Sequence, residues 1–216
     1  MHIEFLVEDS SGKRLLHQIV PAILGPIGEP HSWRIHSYRG VGRLPKDLNS
    51  KTDPAKRALL NNLPQLISGI GRNPSVHAIV IVVDTDRRDC RQFLVELNDL
   101  AARCNPRPSV MFRLAIEEME AWLLGDQCAV SAAYPAANLS VLQAYKQDSV
   151  CGTWETLANA IYPSGATAIQ KLGFPVSGDA KHEWAEKIGP NMRLDKNKSP
   201  SFNKFVEGLR RLTAAG

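Results

Sequence analysis

Three acidic residues follow two apolar segments of this chain and are of the type that binds hard cations. Asp84 and Asp86 come directly after the apolar run at residues 76–83, and Glu8 follows a shorter apolar run at residues 2–7. Neighbouring carboxylates repel each other, so solvent or a cation has to compensate their charge. Oxygen ligands with no His or Cys beside them favour Mg²⁺ or Mn²⁺ over zinc. The pattern therefore predicts a divalent-metal site with Glu8, Asp84 and Asp86 as its ligands and catalytic residues.

A metal ion held by a few carboxylates suggests chemistry on phosphate. Such ions usually also bind phosphate oxygens, and they can polarise the phosphate or activate a water molecule. Two further acidic residues, Glu118 and Glu120, follow a later apolar run. Residues two apart on a helix do not face the same way. We therefore expect Glu118 alone to add a ligand, for a second ion.

The segments that must position these residues have the pattern of an α/β protein. Residues 76–83 are apolar and β-branched without alternation, which is typical of a strand buried on both faces in a parallel sheet. Residues 2–7, 33–38 and 110–116 are further strand candidates. The segments between these four strands have apolar residues at helical spacing. The predicted fold is a Rossmann-like parallel four-stranded sheet flanked by helices. The ligand site of such a sheet lies at the carboxyl ends of the strands, so Glu8 and Asp84 meet if the first and third strands are neighbours.

The helices of this α/β core have recognisable starts and stops. Ser10 or Ser11 should cap the first helix, and Pro21 should bend or end it early. A second helix should start at Thr52-Asp53-Pro54 and end at Gly71. Asp89 should cap a third helix at about residues 90–102.

The chain beyond residue 116 has helical patterns and no further strand. Helices are expected at residues 117–126, 153–161, 166–172, 179–188 and 200–212, the last capped by Ser199. No linker-like composition separates the two halves. We therefore expect an α/β core at residues 1–116 and an α-helical C-terminal extension at residues 117–216 that packs on it.

The positive charge of the chain is concentrated near its C-terminus. The net charge is +4, and residues 181–216 contain eight Lys and Arg against four Asp and Glu. A second basic segment, at residues 39–43, places two glycines between two arginines. These features predict contacts with a nucleic-acid backbone, although a solvated helix face and an ordinary flexible loop are the alternatives. The residues expected to make these contacts are Arg39, Arg43, Lys181, Lys196 and Lys198.

The remaining composition indicates an ordinary intracellular protein. The four cysteines are widely spaced without a C-x-x-C motif, which favours reduced thiols over a zinc site or a disulfide framework. No apolar run approaches bilayer length, and no basic segment precedes an apolar one at the N-terminus. We expect a cytoplasmic protein that does not contact a membrane.

Several segments resemble a known family. Residues 7–11 (VEDSS) and 82–86 (VVDTD) resemble the Toprim domain, the metal-binding fold of topoisomerases, DnaG-type primases and OLD-family nucleases. The segments at 38–40 (YRG), 118–126 (EMEAWLLGD), 178–185 (GDAKHEWA) and 198–202 (KSPSF) resemble short bacterial Toprim-like proteins, which are often encoded beside AAA-type ATPases. One departure is visible: Asp9 stands where Toprim sequences usually have Gly.

The resemblance implies a Toprim-like nuclease that depends on Mg²⁺ or Mn²⁺ and cleaves DNA or RNA, plausibly in phage defence with an ATPase partner. It implies that Glu8 is a general acid or base or a metal ligand, and that Asp84 and Asp86 are metal ligands. Two alternatives stay open. One is a phosphatase-like enzyme, because an apolar run followed by D-x-D also occurs in haloacid-dehalogenase-type proteins. The other is a non-catalytic sensor subunit of an ATPase complex.

Overall fold

The computed structural model describes residues 1–48, 58–149, 152–173 and 175–214. Within them, four strands form one sheet in which every neighbouring pair is parallel, in the order β2-β1-β3-β4. The strands are β1 (His2–Val7), β2 (Ser32–Ser37), β3 (Ala78–Asp84) and β4 (Ser109–Ala115). The predicted α/β architecture with a parallel four-stranded sheet is confirmed.

Strand β3 lies inside the sheet because both of its faces are apolar. Its residues from Ala78 to Val83 are at most 1% exposed. It pairs with β1 on one side, with Val7 opposite Val82, and with β4 on the other. The strand order reverses direction between β1 and β3, and a crevice for ligands opens at such a switch point in parallel sheets.

Ten α-helices surround this sheet in the part of the chain that the structure describes. They are α1 (Ser10–Leu24), α2 (Leu63–Gly71), α3 (Cys90–Arg103), α4 (Glu120–Leu124), α5 (Gln127–Ala133), α6 (Leu139–Ala144), α7 (Thr153–Ile161), α8 (Gly165–Leu172), α9 (Val176–Ile188) and α10 (Pro200–Ala214). Asp89 caps α3 by accepting a hydrogen bond from the Gln92 N–H at 2.8 Å, as predicted. Ser199 begins α10, and its hydroxyl accepts from the Phe202 N–H at 3.2 Å.

Three expectations about the helices differ from the structure, and a fourth concerns residues that the structure does not describe. Helix α1 continues past Pro21 to Leu24, because its apolar stripe extends to Leu24, which is buried. The helix expected from residue 117 begins only at Glu120, after a series of bends. Helices α5 and α6 were not predicted. The expected helix start at residues 52–54 lies outside the described residues.

The two faces of the sheet carry different layers. Helices α2 and α3 cover one face, where Leu6, Ile81 and Phe93 share a core. Helix α1 and the helices after residue 116 cover the other, and one continuous apolar core joins them to β1 and β3. In that core the Trp122 ring lies 4.9 Å from the Phe205 ring, centroid to centroid. The C-terminal helices therefore pack directly on the sheet, and the apolar contacts continue across residue 116. No helix among the described residues is long and apolar enough to cross a bilayer.

Candidate functional site

The predicted acidic residues lie at the switch point between β1 and β3. Glu8 directly follows β1, and Asp84 is the last residue of β3. The two strands are hydrogen-bonded neighbours with Val7 opposite Val82, and neighbouring strands are about 4.8 Å apart. The topology thus brings Glu8 and Asp84 to one edge of the sheet, which the sequence reasoning required but did not establish.

Glu8 is partly buried at the end of β1. The backbone amides of Asp84 and Val41 hydrogen-bond to it, yet its Oε2 atom is buried without a hydrogen-bond partner among the described residues. Burial, with the negative charges of Asp9 and Asp86 adding to it, raises the pKa of Glu8 to about 7 against the lowering effect of the two amides. A glutamate in this position exchanges its proton near neutral pH.

The Asp84 carboxylate, like that of Glu8, contains a buried oxygen and has a raised pKa. Its Oδ1 atom is buried and has no hydrogen-bond partner in the described structure. Burial, and then the charges of Glu8 and Glu120, hold the pKa of Asp84 well above its usual range. Two buried carboxylate oxygens without partners therefore lie at the end of adjacent strands.

Asp86 and Asp9 have different surroundings from this pair. The Asp86 side chain is 55% exposed and forms an ion pair with Arg88 at 3.1 Å. Its backbone has a φ of 49°, so the chain turns sharply here and directs the second acidic group of the D-T-D segment outward. Asp9 caps helix α1, since its carboxylate accepts from the Gly12 N–H at 2.7 Å. The cap is therefore Asp9 rather than Ser10 or Ser11.

A second pair of carboxylates lies at the same edge around an internal cation. The Lys181 Nζ atom is 3.2 Å from Glu118 Oε1 and 3.3 Å from Glu120 Oε2. The expectation that only one of these glutamates faces the site is wrong, because residues 116–119 form bends and the helical spacing rule does not apply to them. Burial raises the pKa of Glu118 to about 7, with Glu120 adding to the shift and Lys181 opposing it.

Lys181, which was predicted to contact a nucleic-acid backbone, lies at the acidic edge. Its side chain is only 20% exposed. The carboxylates of Glu120, Glu118 and Asp84 raise its pKa against the opposing effect of burial. The sequence contains no signal for this contact, because Lys181 is 63 residues from Glu118 along the chain.

Buried Thr85 connects the two pairs of carboxylates. Its hydroxyl accepts a hydrogen bond from the Glu117 N–H at 2.8 Å, and the Asp86 N–H donates to the Glu117 carbonyl at 3.0 Å. The Glu117 carboxylate in turn accepts from the N–H groups of Gly152 and Thr153, at 2.8 and 2.7 Å. The loops after β3 and β4 are therefore held together as one unit, a role for Thr85 and Glu117 that sequence reasoning missed.

The other predicted nucleic-acid contacts are exposed residues in two loops. Arg39 and Arg43 lie in the loop after β2, whose Gly40 N–H donates to the Glu8 carbonyl at 3.1 Å. This loop therefore borders the acidic site. Lys196 and Lys198 are exposed in the segment before α10, where Lys196 lies 3.7 Å from Asp195.

The chemistry of the edge fits a hard cation held by two protein ligands. Among the described residues no three His, Cys, Asp or Glu side chains are arranged to hold one metal ion. The predicted set of three or four carboxylates is thus not assembled. The buried oxygens of Glu8 and Asp84 are nevertheless without partners. Mg²⁺ is often bound through one or two carboxylates while water and phosphate complete its shell, so this pair satisfies that requirement.

Comparison with protein families gives one match, which covers nearly the whole chain. Residues 7–210 match a family described as DUF4276, a domain of unknown function. The chain belongs to this DUF4276 family. The match begins at Val7, one residue before Glu8, and extends into α10, so the DUF4276 region contains every carboxylate of the acidic edge together with Lys181. No curated protein and no solved structure matches the chain.

Proposed function

We propose that the protein is a Mg²⁺- or Mn²⁺-dependent enzyme that hydrolyses phosphodiester bonds in nucleic acid. One observation carries the proposal: two buried carboxylate oxygens, on Glu8 and Asp84, lack partners at the switch point of a parallel sheet. Burying a negatively charged oxygen without a partner is costly. Proteins retain such groups mainly where a ligand completes them, and here the ligand would be a cation.

Each residue near the acidic edge would have its own role in this reaction. Glu8 and Asp84 would hold the ion, and the exposed Asp86 would join them by turning away from Arg88. Glu8, whose pKa is about 7 in the protein without metal, is also suited to accept a proton from an attacking water near neutral pH. A bound cation would supply charge neutralisation on the phosphate. Arg39 and Arg43, on the loop beside Glu8, would contact the nucleic-acid backbone, with Lys196 and Lys198 as further contacts.

The likeness of the sequence to the Toprim domain supports the same class of reaction. That domain also places a Glu after its first strand and D-x-D after its third. The likeness further supports a cytoplasmic role in phage defence beside an AAA-type ATPase, which we include in the proposal.

The direct test is cleavage of plasmid DNA and total tRNA by the purified protein with Mn²⁺, repeated with EDTA. We expect cleavage that needs the metal and falls by roughly a hundredfold or more in Glu8→Gln and in Asp84→Asn. Asp99→Asn, which removes an exposed carboxylate from α3, is the matched control and should cleave normally. Unchanged cleavage in both site variants would reject the proposal.

A non-catalytic subunit of an ATPase complex is the second candidate. The observation favouring it is that Lys181 already supplies a positive charge at this edge and Asp86 is paired with Arg88. This reading predicts copurification with an ATPase and a melting temperature that Mn²⁺ leaves unchanged. A phosphatase-like enzyme would instead hydrolyse a small aryl phosphate and leave nucleic acid intact.

A further inference from the structure

A cavity of about 210 Å³ lies at the outer edge of β4, between α3 and α10. Strand β4 is last in the order of the described strands, so this edge has no neighbouring strand among them. Leu94, Phe112 and Ile116 form much of the apolar wall. Pockets for drug-sized ligands usually start at roughly 300 Å³, so this cavity suits a smaller, partly apolar group.

Three cations surround the apolar wall: Arg91, Arg113 and Lys204. None of them forms an ion pair with a carboxylate in the described parts of the chain. Asp148 also lines the cavity, but its carboxylate already accepts hydrogen bonds from the Ser199 hydroxyl and the Ser201 N–H, at 2.7 and 2.6 Å. The cavity therefore combines an apolar interior with three cations and the one carboxylate of Asp148, so positive charge is in excess among its lining residues.

Arg113 is the most constrained of these cations. Its Nε donates to the Lys204 carbonyl at 3.0 Å and its Nη1 donates to the Phe112 carbonyl at 2.7 Å. Neutral carbonyls fix the orientation of the guanidinium but do not neutralise it. Burial and the nearby Arg211 lower the pKa of Arg113, and Glu207 offsets only part of this. An anion beside Arg113 would favour the charged guanidinium and so oppose this lowering of its pKa.

The cavity lies one strand away from the proposed metal ligands. Asp84 pairs with Ala115 across the β3–β4 ladder, and adjacent strands are about 4.8 Å apart. Ile116 follows Ala115, and Cys90, which also lines the cavity, directly follows the turn that connects β3 to α3. The cavity therefore borders β4, the strand that pairs with β3, on which Asp84 is the last residue.

We propose that this cavity binds one base of an unpaired nucleic-acid strand, with the three cations on its phosphates, so that the substrate class is single-stranded DNA or RNA. The proposal rests on the function proposed above. Bases inside a duplex are stacked and paired, and they reach a pocket only when unpaired or flipped out. Channels for single strands combine positive charge with surfaces for bases. An edge strand also accepts an extended peptide, but this cavity is confined to the carboxyl-terminal part of β4 and is rimmed by cations.

The test is binding of a labelled single-stranded oligonucleotide and of the same sequence as a duplex, measured by fluorescence anisotropy with the full chain in EDTA. DNA and RNA versions are compared in parallel. We expect the single strand to bind about tenfold more tightly than the duplex. Leu94→Trp, which fills the cavity, and Arg91→Ala, which removes an exposed cation, should each weaken single-strand binding by about tenfold. Arg103→Ala, at the opposite end of α3, is the matched control and should bind normally.

Equal affinity for single strand and duplex, or unchanged binding by Arg91→Ala and by a folded Leu94→Trp, would overturn the proposal. So would a Leu94→Trp variant that changes only self-association, measured by sedimentation, because a strand of a second copy would then occupy the edge. Binding in EDTA does not need cleavage. If binding is selective but no metal supports cleavage, the proposed function fails and this inference stands; if cleavage depends on Glu8 but prefers duplex, the inference alone fails.

Discussion

Two pairs of carboxylates lie at the same edge of the sheet, and among the described residues only one of them forms direct ion pairs with a cation of the protein. Glu118 and Glu120 flank the Lys181 ammonium at 3.2 and 3.3 Å. Glu8 and Asp84 each keep a buried oxygen without a partner in the described structure. The first pair therefore shares an ammonium that the fold supplies, although burial still raises the pKa of Glu118 to about 7 against the effect of Lys181. The second pair is the part of the edge that an external cation would complete.

This comparison separates structural charge from charge available to a ligand. A buried carboxylate with a nearby ammonium can stay ionised, whereas one without a cation takes up a proton or binds an ion. Substitutions in each pair in turn test whether the two pairs differ in this way.

The largest effect is expected from removing the internal cation. Lys181→Met should lower the free energy of unfolding by about 3 kcal/mol at pH 8, because it removes the ion-pair partner of buried Glu120 and of partly buried Glu118. Urea denaturation measures the loss. Lys187→Met is the matched control: its ion pair with Glu183 is solvent-exposed, with side chains 55% and 41% exposed, and exposed pairs contribute little. A comparable loss in both variants would contradict the structural role of Lys181.

A change of opposite sign in the free energy of unfolding is expected at Glu8 and Asp84. Asp84→Asn should raise the free energy of unfolding by about 2 kcal/mol at pH 8 in EDTA, because it removes a buried charge that repels Glu8. The melting temperature of the wild type should rise on adding Mn²⁺, and that of the variant should not. Asp86→Asn, at an exposed position, should change stability little in EDTA. A destabilised Asp84→Asn would argue against repulsion within the pair.

Glu8 should make stability depend on pH in a defined direction. Its pKa is about 7 in the folded protein against 4.5 for an ordinary glutamate, so the folded state binds the proton more tightly than the unfolded state. This contribution is fully present below about pH 4.5 and is lost as the pH rises through about 7. Between about pH 5 and pH 8 in EDTA, the wild type should lose about 2 kcal/mol relative to Glu8→Gln. Parallel pH profiles of the two proteins would exclude this raised pKa.

The smallest effect is expected at the residue that connects the two pairs. Thr85→Val should cost about 1 kcal/mol, since it keeps the shape of the side chain but leaves the Glu117 N–H without its acceptor. Thr85→Ser keeps the hydroxyl and should lose less. Equal losses in the two variants, measured by urea denaturation, would mean that the methyl group and not the hydrogen bond stabilises the loop.

The sequence anticipated the fold better than it anticipated the surroundings of the site. The bounds of β1 and α7 agree with the prediction, because each is a short segment whose pattern is uninterrupted. The expectation that α1 ends early at Pro21 was wrong. The tendency of proline to end a helix was outweighed by an apolar stripe that continues to Leu24, which is 5% exposed. The expectation that Glu120 does not face the same way as Glu118 was wrong, because the rule for helical spacing was applied to residues that form bends.

The sequence by itself determined that β3 is an inner strand and that Glu8 and Asp84 end at the carboxyl side of their strands. A segment that is apolar on every side is stable only when both faces are covered, and the direction of the chain decides which end of a strand is which. Only the tertiary structure decided that β1 and β3 are neighbours, that Asp86 points outward, and that Lys181 meets Glu118 and Glu120. Contacts between residues more than sixty positions apart depend on how α9 docks beside the sheet, and no local pattern of residues specifies that docking.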